Sequence, residues 1–167
     1  RLLAAMANRP RLFEANTSWG PQASCTALMA IQTAGGISLE LPAWLMNFPQ
    51  AALGCMAEVD AAIPAFSAAW GSEVKPTRVV VYPLGIEAFP HEGCALVQGR
   101  YFPEDGTIVV ALSLNSQTAF LPALSHELVH RADVNIPHGI HSDFDDPHAA
   151  GALAAAEAAV RQIYGGK

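Results

Sequence analysis

The densest chemistry in this 167-residue chain lies in five consecutive residues, His126-Glu127-Leu128-Val129-His130. In a helix of about 3.6 residues per turn, positions i and i+4 lie one above the other, so both imidazoles can reach a single metal ion. The intervening Glu127 then stands beside them. Zinc held by neutral nitrogen donors with one place left open lowers the pKa of its water towards ~7, and a neighbouring carboxylate can take the proton as that water attacks a polarised carbonyl. The spacing therefore predicts a hydrolytic site with His126 and His130 as ligands and Glu127 as the base that activates the zinc-bound water. Four of the six histidines fall between His126 and His141. The segment that follows adds Asp143, Asp145, Asp146 and His148, so ligand types are concentrated here rather than scattered.

These residues resemble the zincin metalloproteases, closely over His126 to His130 and loosely over residues 107–144. The resemblance implies a zinc-dependent metallopeptidase with Zn2+ as cofactor and a peptide or protein as substrate. It also implies a motif-bearing helix behind a small twisted sheet whose edge strand pairs with substrate, and a third protein ligand further along the chain. Metzincins carry a glycine three residues after the second histidine and a histidine three beyond that; here those positions are Asp133 and Ile136, which disfavours that subclass. SprT-like and related small bacterial and phage zincins place the third histidine in a short pattern of His, a small or polar residue and Phe. His138-Gly139-Ile140-His141-Ser142-Asp143-Phe144 is a variant of it. His141 is the preferred ligand, because Gly139 lets the chain turn before it and it stands eleven residues beyond His130. His138, beside Pro137, is the close second. Completion in the manner of gluzincins would use Glu157, the only acidic residue of the last predicted helix, and aspartate ligation would use Asp143 or Asp145. Nothing in residues 1–75 resembles a named family.

The elements that must position these groups follow from periodicity and punctuation. A helix is expected over Pro21 to Thr33, stopped by Gly35-Gly36, and a second from about Ala43 to Ala69, divided by Pro49 and Pro64. In it Leu53, Met56, Val59 and Ile63 make a core-facing stripe. From Thr77 the pattern becomes β. Arg78 to Pro83 is one strand, and Ala95 to Phe102 with Thr107 to Leu112 forms a hairpin around Pro103-Glu104-Asp105-Gly106. Either hairpin strand can offer an edge to an extended peptide. Helical spacing returns from Gln117 to Asp133, with Leu121, Leu124 and Leu128 on one face, and again from Pro147 to Tyr164. The expectation is one α+β domain of zincin-like build: a helical part over 1–75, then a small twisted sheet with a hairpin, the active-site helix and a C-terminal helix over 76–167.

Secondary roles are open to several residues. Asp133 shares a helical face with both histidines and can orient one of them. An oxyanion donor is expected in this chemistry, and His148, Tyr164 and Arg131 are the candidates. With 9 Lys+Arg against 15 Asp+Glu the net charge is −6, which argues against a nucleic-acid surface. No stretch approaches the ~20 unbroken apolar residues of a membrane span. Cys25, Cys55 and Cys94 show no CxxC pairing; a Cys25–Cys55 bridge and buried free thiols are the two readings. A secreted, periplasmic or cytoplasmic location fits equally. Two other functions share the same motif: a non-catalytic zinc module, structural or regulatory, and a zinc amidase acting on a non-protein substrate.

Overall fold

The computed structural model describes residues 28–82, 86–87, 96–97, 99–112, 118–120, 122–137 and 144–165. The chain is an α+β domain. Its strands are β1 (Leu28–Gln32), β2 (Ser38–Pro42), β3 (Arg78–Tyr82), β4 (Ile86–Glu87), β5 (Leu96–Val97), β6 (Gly99–Phe102) and β7 (Thr107–Ala111). A 3-10 turn (Ala43–Asn47) and three helices, α1 (Pro49–Trp70), α2 (Ala123–Ala132) and α3 (Pro147–Ile163), complete it.

Five strands form a mixed sheet in the order β1-β2-β3-β7-β6, and β4 pairs with β5 separately. β2, β3 and β7 are parallel, while β1 and β6 run antiparallel at the two ends. The β3 and β7 sequences, RVVVY and TIVVA, are continuous β-branched runs, as expected for strands covered on both faces. Val79, Val81, Ile108 and Val110 join Leu39 and Leu41 in the core beneath the helices. Val80 and Val109, which point the other way, are buried as well.

The expected strand at 78–83, the hairpin around 103–106 and the helix from Pro147 all form. The first part of the chain departs from expectation. Leu28–Gln32, read as the end of a helix, is a strand, and Gly35-Gly36 turns a hairpin instead of stopping a helix. Thr33 N–H donates to the Ile37 carbonyl at 3.0 Å, and Gly36 adopts φ 75°. β2, to which no element was assigned, alternates half-buried Ser38 and Glu40 with buried Leu39 and Leu41, and pairing with it overrides the helix propensity of Leu-Met-Ala. The first 75 residues therefore contribute two strands to the sheet. The Pro21–Ala27 portion of that expected helix lies outside the described residues.

Pro49 does divide the next stretch, starting α1 at its first turn. Pro64, by contrast, sits inside α1 without ending it; Val59, Ala62, Ile63 and Phe66 are buried around it, and their packing outweighs a local cost of ~3 kcal/mol. The core stripe is rotated from the expected one: Leu53 is 54 % exposed, and Ala52, Cys55 and Glu58 are buried. α1 has the length and composition of a membrane span, yet it packs into this core and carries Glu58 and Asp60. α2 is shorter than expected, beginning only after Pro122. Cys55 is a free, buried thiol, and burial pushes its pKa up to about 12; Cys25, its expected bridge partner, lies outside the described residues.

α3 lies antiparallel along α1. At one end His148 Nε2 is 3.0 Å from the Trp70 carbonyl, and at the other the Tyr164 hydroxyl donates to Glu58 at 2.6 Å. Glu58 is fully buried, and its carboxylate also accepts from the backbone N–H groups of Ala119 and Phe120, the lead-in to α2. Burial raises the Glu58 pKa, and its three donors only partly offset this. Replacing Glu58 by Ala strands the buried N–H of Phe120 and the half-buried N–H of Ala119, and is expected to lower the unfolding free energy by roughly 3–5 kcal/mol. A raised native pKa means that Glu58 contributes most below its unfolded value near 4.5 and loses that contribution as pH rises. Urea unfolding from pH 4 to 8 should show the stability gap between wild type and Glu58→Gln narrowing as pH increases.

Candidate active site

α2 is amphipathic at short range. Leu124, Leu128 and Val129 are buried in the common core, which turns the i, i+4 pair His126 and His130 to another side, where both are half-buried. The helix starts without a side-chain cap. Its first turn is fixed by backbone bonds, Leu124 N–H to the Phe120 carbonyl at 3.3 Å and His126 N–H to the Pro122 carbonyl at 3.1 Å. Glu58 holds Phe120 in turn. Asp133 ends the helix in an extended conformation and its carboxylate accepts from Asn135 N–H at 2.9 Å.

The His126 and His130 ring centroids are 5.0 Å apart. Buried Phe144, at the far end of the segment joining α2 to α3, lies 4.7 Å from the first ring and 5.4 Å from the second. One aromatic ring thus contacts both imidazoles and gives the pair an apolar wall. The sequence places Phe144 only in the pattern after His141; the structure shows its contact with both histidines.

Glu127 points elsewhere. Its side chain is directed at β6, where it passes over Gly99 and accepts a hydrogen bond from Tyr101 N–H. Only 6 % of its surface is exposed, and this burial pushes its pKa up to about 8, although Arg100 and the Tyr101 bond act in the opposite direction. β6 is the strand that bears on the site. β7 is flanked by β3 and β6, so among the described residues it has no open edge, whereas β6 ends the sheet.

Of the other residues singled out in the sequence, His138, His141, Asp143, Cys94 and Cys25 lie outside the described residues. Asp145 is exposed. Glu157 pairs with Arg161 at 2.8 Å. Among the described residues no third His, Cys, Asp or Glu joins the histidine pair. Two oxyanion candidates are engaged by other groups: His148 with the Trp70 carbonyl, its ring tilted against the Trp70 ring with centroids 4.4 Å apart, and Tyr164 with Glu58. Arg131 is half-buried on α2, and its buried Nε has no hydrogen-bond partner among the described residues.

Sequence reasoning missed Glu58 and Gly99. Glu58 had a readable signal, since it and Asp60 are the two charged residues in the otherwise apolar run 51–63. Gly99 had none, because its importance comes from a residue 28 positions away. No family model, curated protein or solved structure matches this chain. Phe144→Ala should cost about 3 kcal/mol of stability in metal-free protein by urea unfolding. It should also shift the imidazole resonances of both His126 and His130.

Proposed function

We propose that this chain is a zinc-dependent metallopeptidase of zincin type, in which Glu127 is the general base. The observation that carries this reading is the division of labour on α2: His126 and His130 converge with rings 5.0 Å apart, while Glu127, between them in sequence, faces the outermost strand of the sheet. Two imidazoles one helical turn apart, walled by Phe144, suit a borderline cation such as zinc. His126 and His130 would hold it with His141 as the third ligand. His141 stands three residues before Phe144, a span of at most ~10 Å even when fully extended.

Zinc, when bound there, supplies a Lewis acid for the scissile carbonyl and a positive charge that favours the ionised form of a nearby carboxylate. Glu127 takes the proton from the attacking water and returns it to the departing amine. β6 offers backbone groups along the end of the sheet, so an extended peptide can add as a further strand beside the base. Burial of Glu127 and the apolar ring of Phe144 limit the water around these groups.

Metal content by mass spectrometry, paired with hydrolysis of casein and a quenched-peptide panel, tests this. Wild type should hold about one zinc and cleave. Glu127→Gln should keep zinc and lose ~10²–10⁴-fold in kcat, and His126→Ala, His130→Ala or His141→Ala should lose zinc. Zinc without cleavage of any peptide would favour the structural module, with a non-protein amide as the next substrate to try. A metal-free wild type, purified without chelator, overturns the reading.

A further inference from the structure

Glu127 reaches its position by leaning across a strand that has no side chain at the point of crossing. A Cβ added to Gly99 would lie 2.9 Å from Glu127 Cγ, 3.0 Å from Oε1 and 3.3 Å from Cδ. Three atoms of one side chain are therefore in the way, and Cγ is mid-chain on a residue that is almost fully buried, so it cannot simply swing aside. Gly99 itself is paired with Val110 in β7 and held in register by the hairpin. Its position relative to Glu127 is fixed from both sides.

The direction of the backbone adds the second contact. Phe102 C=O accepts from Gly106 N–H at 2.9 Å, so its polar groups face the turn and β7. In an antiparallel pair the backbone groups of alternate residues face opposite ways, so those of Tyr101 and Gly99 face away from β7. Tyr101 N–H, which the ladder does not use, donates to the Glu127 carboxylate. The strand end that would receive an extended peptide thus also grips the base, through a bare Cα at one residue and a donor two residues on.

We propose that Gly99 is a positioning residue for the general base: its missing side chain and the outward Tyr101 N–H form a seat that fixes the Glu127 carboxylate between α2 and β6. The catalytic meaning of the seat rests on the peptidase reading above, but its existence does not. In zinc-loaded protein Gly99→Ala should bind zinc as wild type does, because His126 and His130 are not part of the contact, and should lose about 10- to 100-fold in kcat with KM within about twofold. In metal-free protein, Tyr101 amide exchange should speed up at least about tenfold in Gly99→Ala and in Glu127→Ala, while the Val109 and Val110 amides keep their protection.

A double-mutant cycle covers the case in which Gly99→Ala is too unstable to assay. Its thermal destabilisation should largely vanish in the Glu127→Ala background, since the clashing atoms are gone. An unchanged Tyr101 amide, or a penalty that persists without the Glu127 side chain, overturns the seat. Full kcat in Gly99→Ala overturns the positioning role. A wild type that cleaves nothing removes the peptidase reading and with it the catalytic role, and the amide and cycle data then show separately whether the seat exists.

Discussion

A single buried carboxylate ties the helical layer together. Glu58 lies in the middle of α1, fully buried, and receives one hydroxyl from the end of α3 and two backbone N–H groups from the lead-in to α2. A carboxylate in such a place is tolerated only when its oxygens are satisfied, so the three helices cannot slide relative to one another without exposing that cost. The consequence reaches the motif directly. α2 is only ten residues long and lacks a side-chain cap, so its start is set by the Glu58 contacts at Ala119 and Phe120 and by the backbone bonds that follow.

With its start fixed, the face of α2 determines everything else. Buried Leu124, Leu128 and Val129 hold one side in the common core, which leaves the histidine pair and Glu127 on two other sides, since successive residues turn by about 100°. The sheet order then matters. Because β6 returns antiparallel beside β7 and ends the sheet among the described residues, Glu127 meets an outermost strand rather than a fully paired one. An acid placed against β7 would find both neighbours' backbones already occupied. Against β6 it finds Tyr101 N–H turned outward and Gly99 offering no obstruction.

The sequence was most legible where local and global preferences agree. β3, the β6–β7 hairpin and α3 combine strong periodicity with unambiguous punctuation, and they form nearly where expected. Pro147 marks the start of α3 in the chain and in the structure alike, and the structure adds Asp146 as its cap, accepting from Ala149 N–H. Legibility failed where pairing partners lie far apart. Leu28–Gln32 is built of good helix formers and becomes a strand only because β2 is there to pair with it. Leu53 has the right spacing for the core, but α1 is turned by Glu58 and Cys55, and Leu53 ends up half exposed. His126, Glu127 and His130 could be read as a site because helical spacing alone places them. Gly99 could not, since a glycine in a strand says nothing about which side chain will cross it.

The same distinction bears on the third ligand of the proposed zinc site. Of the six histidines, two form the pair and His148 is held at the Trp70 carbonyl, at the far end of α1 from Glu58. Glu157 is ten residues into α3 from Pro147, a rise of ~15 Å along the helix, and is paired with Arg161. Phe144, just before that helix, touches both rings of the pair. In sequence, His138 directly follows Pro137 and His141 stands three residues before Phe144. A donor that must approach both imidazoles gains most from the end anchored on them, because chain reach grows with every residue of separation and the entropy of closing onto the site grows with it. For the proposed zinc site, the short reach from Phe144 favours His141 over His138 independently of any motif.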